Sequence, residues 1–115
     1  MSVATDDVGK RTEDRRLGAV RELTGRDVAA LTEPMNVFAD DPEARTEEVA
    51  VYNGGTRYIV NPIAGYCTCD DWHFRQPDGG CKHRRRVKFA TGERAVPAAI
   101  DRDALDRNLR ERLDE

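Results

Sequence analysis

The segment CTCDDWHFRQPDGGCKH, Cys67 to His83, holds all three cysteines and both histidines of a 115-residue chain. It begins with Cys-x-Cys, at Cys67 and Cys69, and ends with Cys-x-His, at Cys81 and His83, with eleven residues between the two pairs. Structural Zn²⁺ sites use four nitrogen or sulfur ligands in a tetrahedron. The segment therefore predicts one structural Zn²⁺ bound by Cys67, Cys69, Cys81 and His83.

Each pair restricts the local backbone. In an extended strand, residues two apart stand about 6.6 Å from each other, whereas two sulfurs on one zinc lie about 3.8 Å apart. The strand must therefore bend at Cys67 and Cys69. On a helix, residues two apart point about 200° away from each other, so Cys81 and His83 must straddle a helix start, after a turn at Gly79–Gly80.

Other interpretations of the cluster remain open. Iron in place of zinc and metal-free thiols are both compatible with the same residues. A redox dithiol at Cys67 and Cys69 leaves Cys81 and His83 without a role, and the chain has no Cys-x-x-Cys. His73 competes as a ligand, although an exposed polar residue in the loop is the simpler interpretation.

Paired acids next to the cysteines, Asp70 and Asp71, invite a catalytic interpretation. Four protein ligands would leave no open metal position for a reactive water, and nothing nearby supplies a nucleophile. We therefore expect these acids to cap the turn before Trp72, and we predict no enzyme activity and no small-molecule substrate.

A hairpin precedes the cysteines. The sequence EVAVYNGGTRYIV has two β-branched and aromatic runs around Asn-Gly-Gly, which predicts strands near 49–52 and 57–60. Alternation places Val49 and Val51 on one face, opposite Tyr58 and Val60 on the neighbouring strand. Upstream, RDVAALTE predicts a helical turn, and MNVF predicts a short strand.

The segment after the loop predicts a helix from about His83 to Thr91, with Gly92 as its C-terminal cap. Periodic apolar residues also predict a helix from Thr12 and a C-terminal helix with a narrow stripe between Ile100 and Leu113. The fold class is therefore α+β: a hairpin or short sheet, a zinc loop and one packed helix. The predicted parts are an N-terminal polar and helical extension (1–29), a zinc-finger domain (30–97) and a C-terminal helix (98–115).

The motif and its flanks resemble the SWIM-type zinc finger. The resemblance is carried by Cys-x-Cys…Cys-x-His, by Trp72 three residues after Cys69, and by CKHRRRVKFATGE leading into a helix. ALTE and MNVF upstream and ATGER downstream are similar to small stand-alone haloarchaeal members, over about 30–97. The resemblance implies the same four ligands, a structural zinc, DNA or protein binding, and no inherited enzyme activity.

Composition limits the remaining options. Charged residues make up 36% and apolar residues 38%, against about 25% and about 45–50% in an ordinary domain, so the core is small and would gain from a metal. Arginine outnumbers lysine by 16 to 3, which suggests a high-salt cytoplasm. No apolar run approaches the roughly 18 residues of a membrane span, and the polar start predicts a cytoplasmic protein without membrane contact.

The basic residues are concentrated around the cysteine segment. Residues 56 to 94 hold eight basic and four acidic side chains, although the net charge of the chain is −3. On the predicted helix, His83 and the apolar side chains share one side, which leaves the basic ones outside. We therefore predict a face that binds nucleic acid, DNA in particular, formed by Arg84, Arg85 and Lys88 with help from Lys82 and Arg57.

Two alternatives to nucleic-acid binding remain open. One is a protein-interaction module with a purely structural zinc. The other is a solvated helix face whose positive charge offsets a metal site of net charge −1. In molar salt the Debye length is about 3 Å, so these basic residues alone would not hold nucleic acid in a halophile.

Overall fold

The computed structural model describes residues 23–39, 44 and 47–114. The predicted helix from Thr12 lies outside the described residues, apart from its last apolar position, Leu23. Within them no helix is long and apolar enough to cross a membrane.

The elements follow one another with short connections. Helix α1 (Gly25–Thr32) precedes strand β1 (Met35–Phe38), which is followed by β2 (Val49–Asn53), β3 (Thr56–Asn61) and β4 (Tyr66–Cys67). The short helix α2 (Asp70–Arg75) leads to α3 (Lys82–Thr91), a 3₁₀ turn (Arg102–Ala104) and α4 (Arg107–Leu113). The predicted α+β class is confirmed.

The four strands form one antiparallel sheet in the order β1-β2-β3-β4. The hairpin has the predicted register, because Val49 pairs with Val60 and Val51 with Tyr58. Its two-residue turn has positive φ at both Gly54 and Gly55, 60° and 86°, as a type I′ turn requires.

The core consists of two clusters that meet along α3. One lies under the sheet and contains the three cysteines together with Met35, Val51, Val60 and Val87. The other joins α1 to the C-terminal segment and contains Ala30, Leu31, Phe89, Ala90, Leu105 and Leu109. Helix α3 is therefore buried on more than one side.

The C-terminal segment differs from the single helix predicted for 98–115. It breaks at Leu105 and Asp106, where the Asp106 backbone N–H donates to the Leu31 carbonyl at 2.8 Å. Leu109 is 1% exposed, so the segment is docked firmly on the domain. The Asp106 carboxylate also accepts from Arg86 at 2.5 Å, which explains why the chain leaves the helical path here.

Candidate metal centre

The structure brings Cys67, Cys69, Cys81 and His83 together. Their ligand atoms all lie within 4.8 Å of one another, and all four residues are buried. A tetrahedral zinc with Zn–S bonds near 2.3 Å would place two sulfurs about 3.8 Å apart, so small side-chain rotations bring the donors into range. The four residues are positioned to bind a metal ion, and a Cys₃His donor set is consistent with one zinc.

The backbone bends at the cysteine pairs as the spacing predicted. Cys67 is the last residue of β4, and Cys69 is the N-cap of α2, where its Sγ accepts from the Trp72 N–H at 3.4 Å. Cys81 is the N-cap of α3, and His83 lies in the first turn of that helix. Each pair thus straddles the boundary of an element, which lets two side chains with i, i+2 spacing converge.

The imidazole of His83 is fixed by neighbours on both sides of the ring. Its Nδ1 lies 3.7 Å from Cys67 Sγ and 3.9 Å from Cys81 Sγ, so Nδ1 is the atom that faces the other donors. The ring stacks on Tyr58 with centroids 4.0 Å apart. Its Nε2 lies 3.3 Å from the side-chain amide of Asn53, which donates to Glu33 at 3.2 Å.

This arrangement suits a histidine that ligates through Nδ1. Such a histidine carries its proton on Nε2 and needs an acceptor there, because an oriented partner fixes the ring and its tautomer. As placed, the Asn53 amide turns its Nδ2 towards Nε2 and also donates to Glu33. Accepting the Nε2 proton would take a 180° rotation of the amide, which gives up the bond to Glu33. Sequence reasoning missed Asn53 and Tyr58 as partners of the ligand, because their contact with His83 depends on how the hairpin packs against α3.

The three thiols lie close enough to affect one another's ionisation. A hydrogen bond with Cys81 and burial raise the pKa of Cys67, and burial raises the pKa of Cys69. Hydrogen bonds donated by Cys67, and then by His83 and the Arg84 backbone N–H, hold the pKa of Cys81 well below its ordinary value despite burial. Because zinc binds thiolates, metal binding at this site would release protons from the thiols.

The rest of the loop departs in part from expectation. Trp72 packs against the first core cluster, whereas Phe74 is 72% exposed and does not cover the site. His73 is exposed and contacts Phe74 edge-on at 4.8 Å, and it is not part of the donor cluster. The turn before Trp72 is capped by a cysteine rather than by the paired acids, and Asp71 accepts from Arg26 at 2.7 Å.

The predicted outer position of Arg85 is wrong. Arg85 is 7% exposed and donates to Asp27 at 2.8 Å, to the Gly80 carbonyl at 2.8 Å and to the Asp78 carbonyl at 2.6 Å. The reason is that α1 packs against this side of α3 and presents a buried carboxylate there. Arg85 therefore holds the turn that precedes Cys81, and it is not available to a ligand.

The other predicted basic residues fall into two groups. Lys82 is paired with Glu33 at 2.6 Å, and Arg57 is half-buried in β3 and already has a partner. Arg84 and Lys88 are half-buried and have no ion pair or hydrogen bond from their side chains within the described residues. The five-residue basic face is thus reduced to two unpaired cations.

Asp27 organises the contact between α1 and α3. It forms a capping box with Thr24 at the start of α1 and accepts from both Arg85 and Arg94. Burial opposes its ionisation, but the hydrogen bonds from Arg94 and Arg85 outweigh this and hold the pKa of Asp27 well below its usual range. The Thr-x-x-Asp spacing of Thr24 and Asp27 is the sequence signal that could have identified this cap.

Comparison with protein-family models, with curated proteins and with solved structures found no match. What can be stated of the site therefore follows from the geometry of this chain: a buried Cys₃His cluster positioned to bind a metal ion.

Proposed function

We propose that this chain is a non-enzymatic SWIM-type zinc module that binds a protein partner, with one structural Zn²⁺ on Cys67, Cys69, Cys81 and His83. The observation that carries the proposal is the closed cluster of four buried donors within 4.8 Å. Zinc is favoured over iron because a tetrahedral set of three thiolates and one imidazole is a common structural zinc site. Once bound, the ion would link the end of β4 to the start of α3.

The SWIM-type assignment is supported by where the motif lies in the fold. Cys-x-Cys starts at the last residue of β4, and Cys-x-His spans the start of the helix that packs under the sheet. Trp72, the aromatic residue after the second cysteine, packs against the same cluster as the ligands. These positions agree with the motif and flanks on which the resemblance was based.

The absence of enzyme activity is part of the proposal, and the closed donor set supports it. A catalytic zinc keeps one position for water or substrate, whereas four protein ligands fill a tetrahedron. His83 presents Nδ1 to the cluster and has Asn53 at Nε2. The imidazole is therefore committed to ligation and is not available for proton transfer.

A protein partner is favoured over nucleic acid by the charges on α3. Of the five predicted contact residues, only Arg84 and Lys88 remain unpaired within the described residues. Two phosphate contacts correspond to a salt slope of only about −1.8, against the 6–10 contacts of an ordinary DNA-binding protein. Such a surface would bind nucleic acid weakly at physiological salt and more weakly in a high-salt cytoplasm.

The test is a binding titration of the zinc-loaded chain across a salt series, with single-stranded and duplex DNA and with RNA. We expect binding that is weak at low salt and lost at physiological ionic strength, together with recovery of a protein partner by the immobilised chain. Nucleic-acid binding that persists at the host's ionic strength and is lost in Arg84→Gln would contradict the choice of a protein partner.

A further inference from the structure

Arg84 and Lys88 stand apart from the other basic side chains of the described residues. Each of the other basic side chains pairs with a carboxylate, donates to a backbone carbonyl or makes another contact. This holds for the most deeply buried arginines as well. In a chain with 22 acidic and 19 basic residues, acidic partners are plentiful. Two adjacent cations left without a partner therefore call for a physical explanation.

Arg84 is held in place by close packing against two glycines. A Cβ on Gly80 would lie 2.6 Å from Arg84 Cδ, and a Cβ on Gly65 would lie 3.4 Å from the guanidinium carbon. The guanidinium thus rests on backbone that has no side chain to displace it. Because the group is ordered before any ligand arrives, binding loses little side-chain entropy.

The guanidinium is also partly desolvated without compensation. Its Nε is buried and has no hydrogen-bond acceptor, and the rest of the group donates to nothing within the described residues. A buried donor without an acceptor is rare in native proteins. An anion on the outer nitrogens would offset the lost hydration of the group, and it would interact more strongly there than in bulk water.

An exposed apolar residue belongs to the turn that contacts this guanidinium. Ile63 is 79% exposed and belongs to the turn 62–65, two residues before the glycine that contacts the guanidinium. Lys88 follows Arg84 by four residues on α3, so the two cations lie on one face of the helix. Ile63, Arg84 and Lys88 form what we term the Arg84 strip.

We propose that the Arg84 strip is the docking surface for an acidic segment of a partner protein. Carboxylates of that segment bind Arg84 and Lys88, and an apolar side chain next to them packs on Ile63. This assignment rests on the proposed function and specifies the chemistry of the partner. Charge complementarity supports it, because the strip presents two cations that have no ion pair among the described residues.

An acidic peptide fits the strip better than a nucleic acid does. Ile63 is aliphatic and cannot supply the aromatic stacking on which single-stranded binding relies. Two cations give few phosphate contacts, and affinity for a nucleic acid depends on many of them. A short segment that combines carboxylates with one apolar residue matches both parts of the strip.

The test is an NMR titration of the zinc-loaded full chain labelled with ¹⁵N. The probes are a short synthetic peptide of Asp and Glu around one Leu, the same peptide with Asn and Gln in place of the acids, and an oligothymidylate of equal length. We expect the acidic peptide alone to shift the resonances of Ile63, Arg84 and Lys88. Arg84→Gln should lower its affinity about tenfold.

Matched variants distinguish the loss of a residue of the Arg84 strip from the loss of a charge or an apolar side chain elsewhere on the surface. Arg107→Gln removes an exposed arginine that is already paired with Glu111 and should leave the affinity unchanged. Ile63→Ser should weaken binding several-fold, whereas Val28→Ser, at a residue that is 47% exposed on α1, should not.

Several results would overturn the proposal. The first is equal shifts with the neutral peptide, or no shift at the strip with the acidic peptide. Tighter binding of the oligothymidylate, lost in Arg84→Gln, would assign the strip to nucleic acid. Loss of zinc from Arg84→Gln would show that this cation serves the metal site. A protein partner captured equally by the wild type and by Arg84→Gln/Lys88→Gln would refute the strip and leave the protein-binding function standing.

Discussion

The buried carboxylate of Asp27 offers a stringent test of how α1 and α3 are joined. Asp27 is 1% exposed and accepts hydrogen bonds from Arg85 at 2.8 Å and Arg94 at 2.6 Å. Asp27→Asn removes the charge and keeps the size and shape of the side chain. Arg85 is then left buried opposite a neutral amide, with the Gly80 and Asp78 carbonyls and the Thr24 hydroxyl as its other acceptors.

The expected loss of stability follows from the contacts that remain. Removing one partner of a buried ion pair typically costs about 3–5 kcal/mol. Arg85 keeps its bonds to the Gly80 and Asp78 carbonyls, and an asparagine still accepts from one arginine, so we expect the lower end, about 3 kcal/mol. Because Arg85 also holds the turn before Cys81, the variant should release its metal to a chelator more readily than the wild type.

The assay is urea unfolding of the zinc-loaded chain, followed by far-UV circular dichroism. The matched control is Asp114→Asn, which removes the same charge from an exposed pair with Arg102. The control should lose less than about 1 kcal/mol, as surface pairs do. If Asp27→Asn were no more destabilised than this control, the assignment of the buried pair as the link between the two helices would be refuted.

Three further predictions concern the same elements. Folding lowers the pKa of Asp27, so the carboxylate contributes fully to stability well above its unfolded pKa of about 3.9, and this contribution is lost as the pH falls below that value. The difference in unfolding free energy between wild type and Asp27→Asn should therefore shrink on acidification. A difference that stays constant with pH would contradict this. Gly80→Ala should destabilise the chain by at least about 1 kcal/mol in urea unfolding, because φ is +95° at this residue and the new Cβ would lie 2.6 Å from Arg84 Cδ. The control is Gly25→Ala, whose new Cβ would have nothing within 4 Å and which should be neutral or stabilising. Asn53→Ala should weaken metal affinity about tenfold or more in competition with a chelator. An unchanged affinity would show that the Asn53 amide does not support the His83 ligand.

Local rules were enough to predict the hairpin and the metal site. The register of Val49 with Val60 follows from alternation and a two-residue turn, and the bends at Cys67 and Cys81 follow from distances within one tetrahedron. These inferences need only neighbours in sequence and the reach of a side chain. The family resemblance named the same four ligands, and the structure brings those four together.

The basic residues of α3 were harder to place, because whether an arginine is buried or exposed depends on what packs beside it. A charged residue is placed outside by default, yet Arg85 and Arg86 are 7% and 1% exposed. Arg86 is buried because the end of α1 and strand β1 present the Ala30, Glu33 and Met35 carbonyls to it. No periodicity of α3 reveals those acceptors.

The central claim is that one bound zinc holds this fold together, and metal content measured together with folding tests it most directly. We predict one zinc per chain by mass spectrometry of the purified protein, loss of the cooperative unfolding transition when a chelator removes it, and recovery when zinc is restored. Binding worth about 10–16 kcal/mol in finger peptides is ample for a core this small. A metal-free wild-type chain that keeps its circular dichroism spectrum and a cooperative transition would contradict the account.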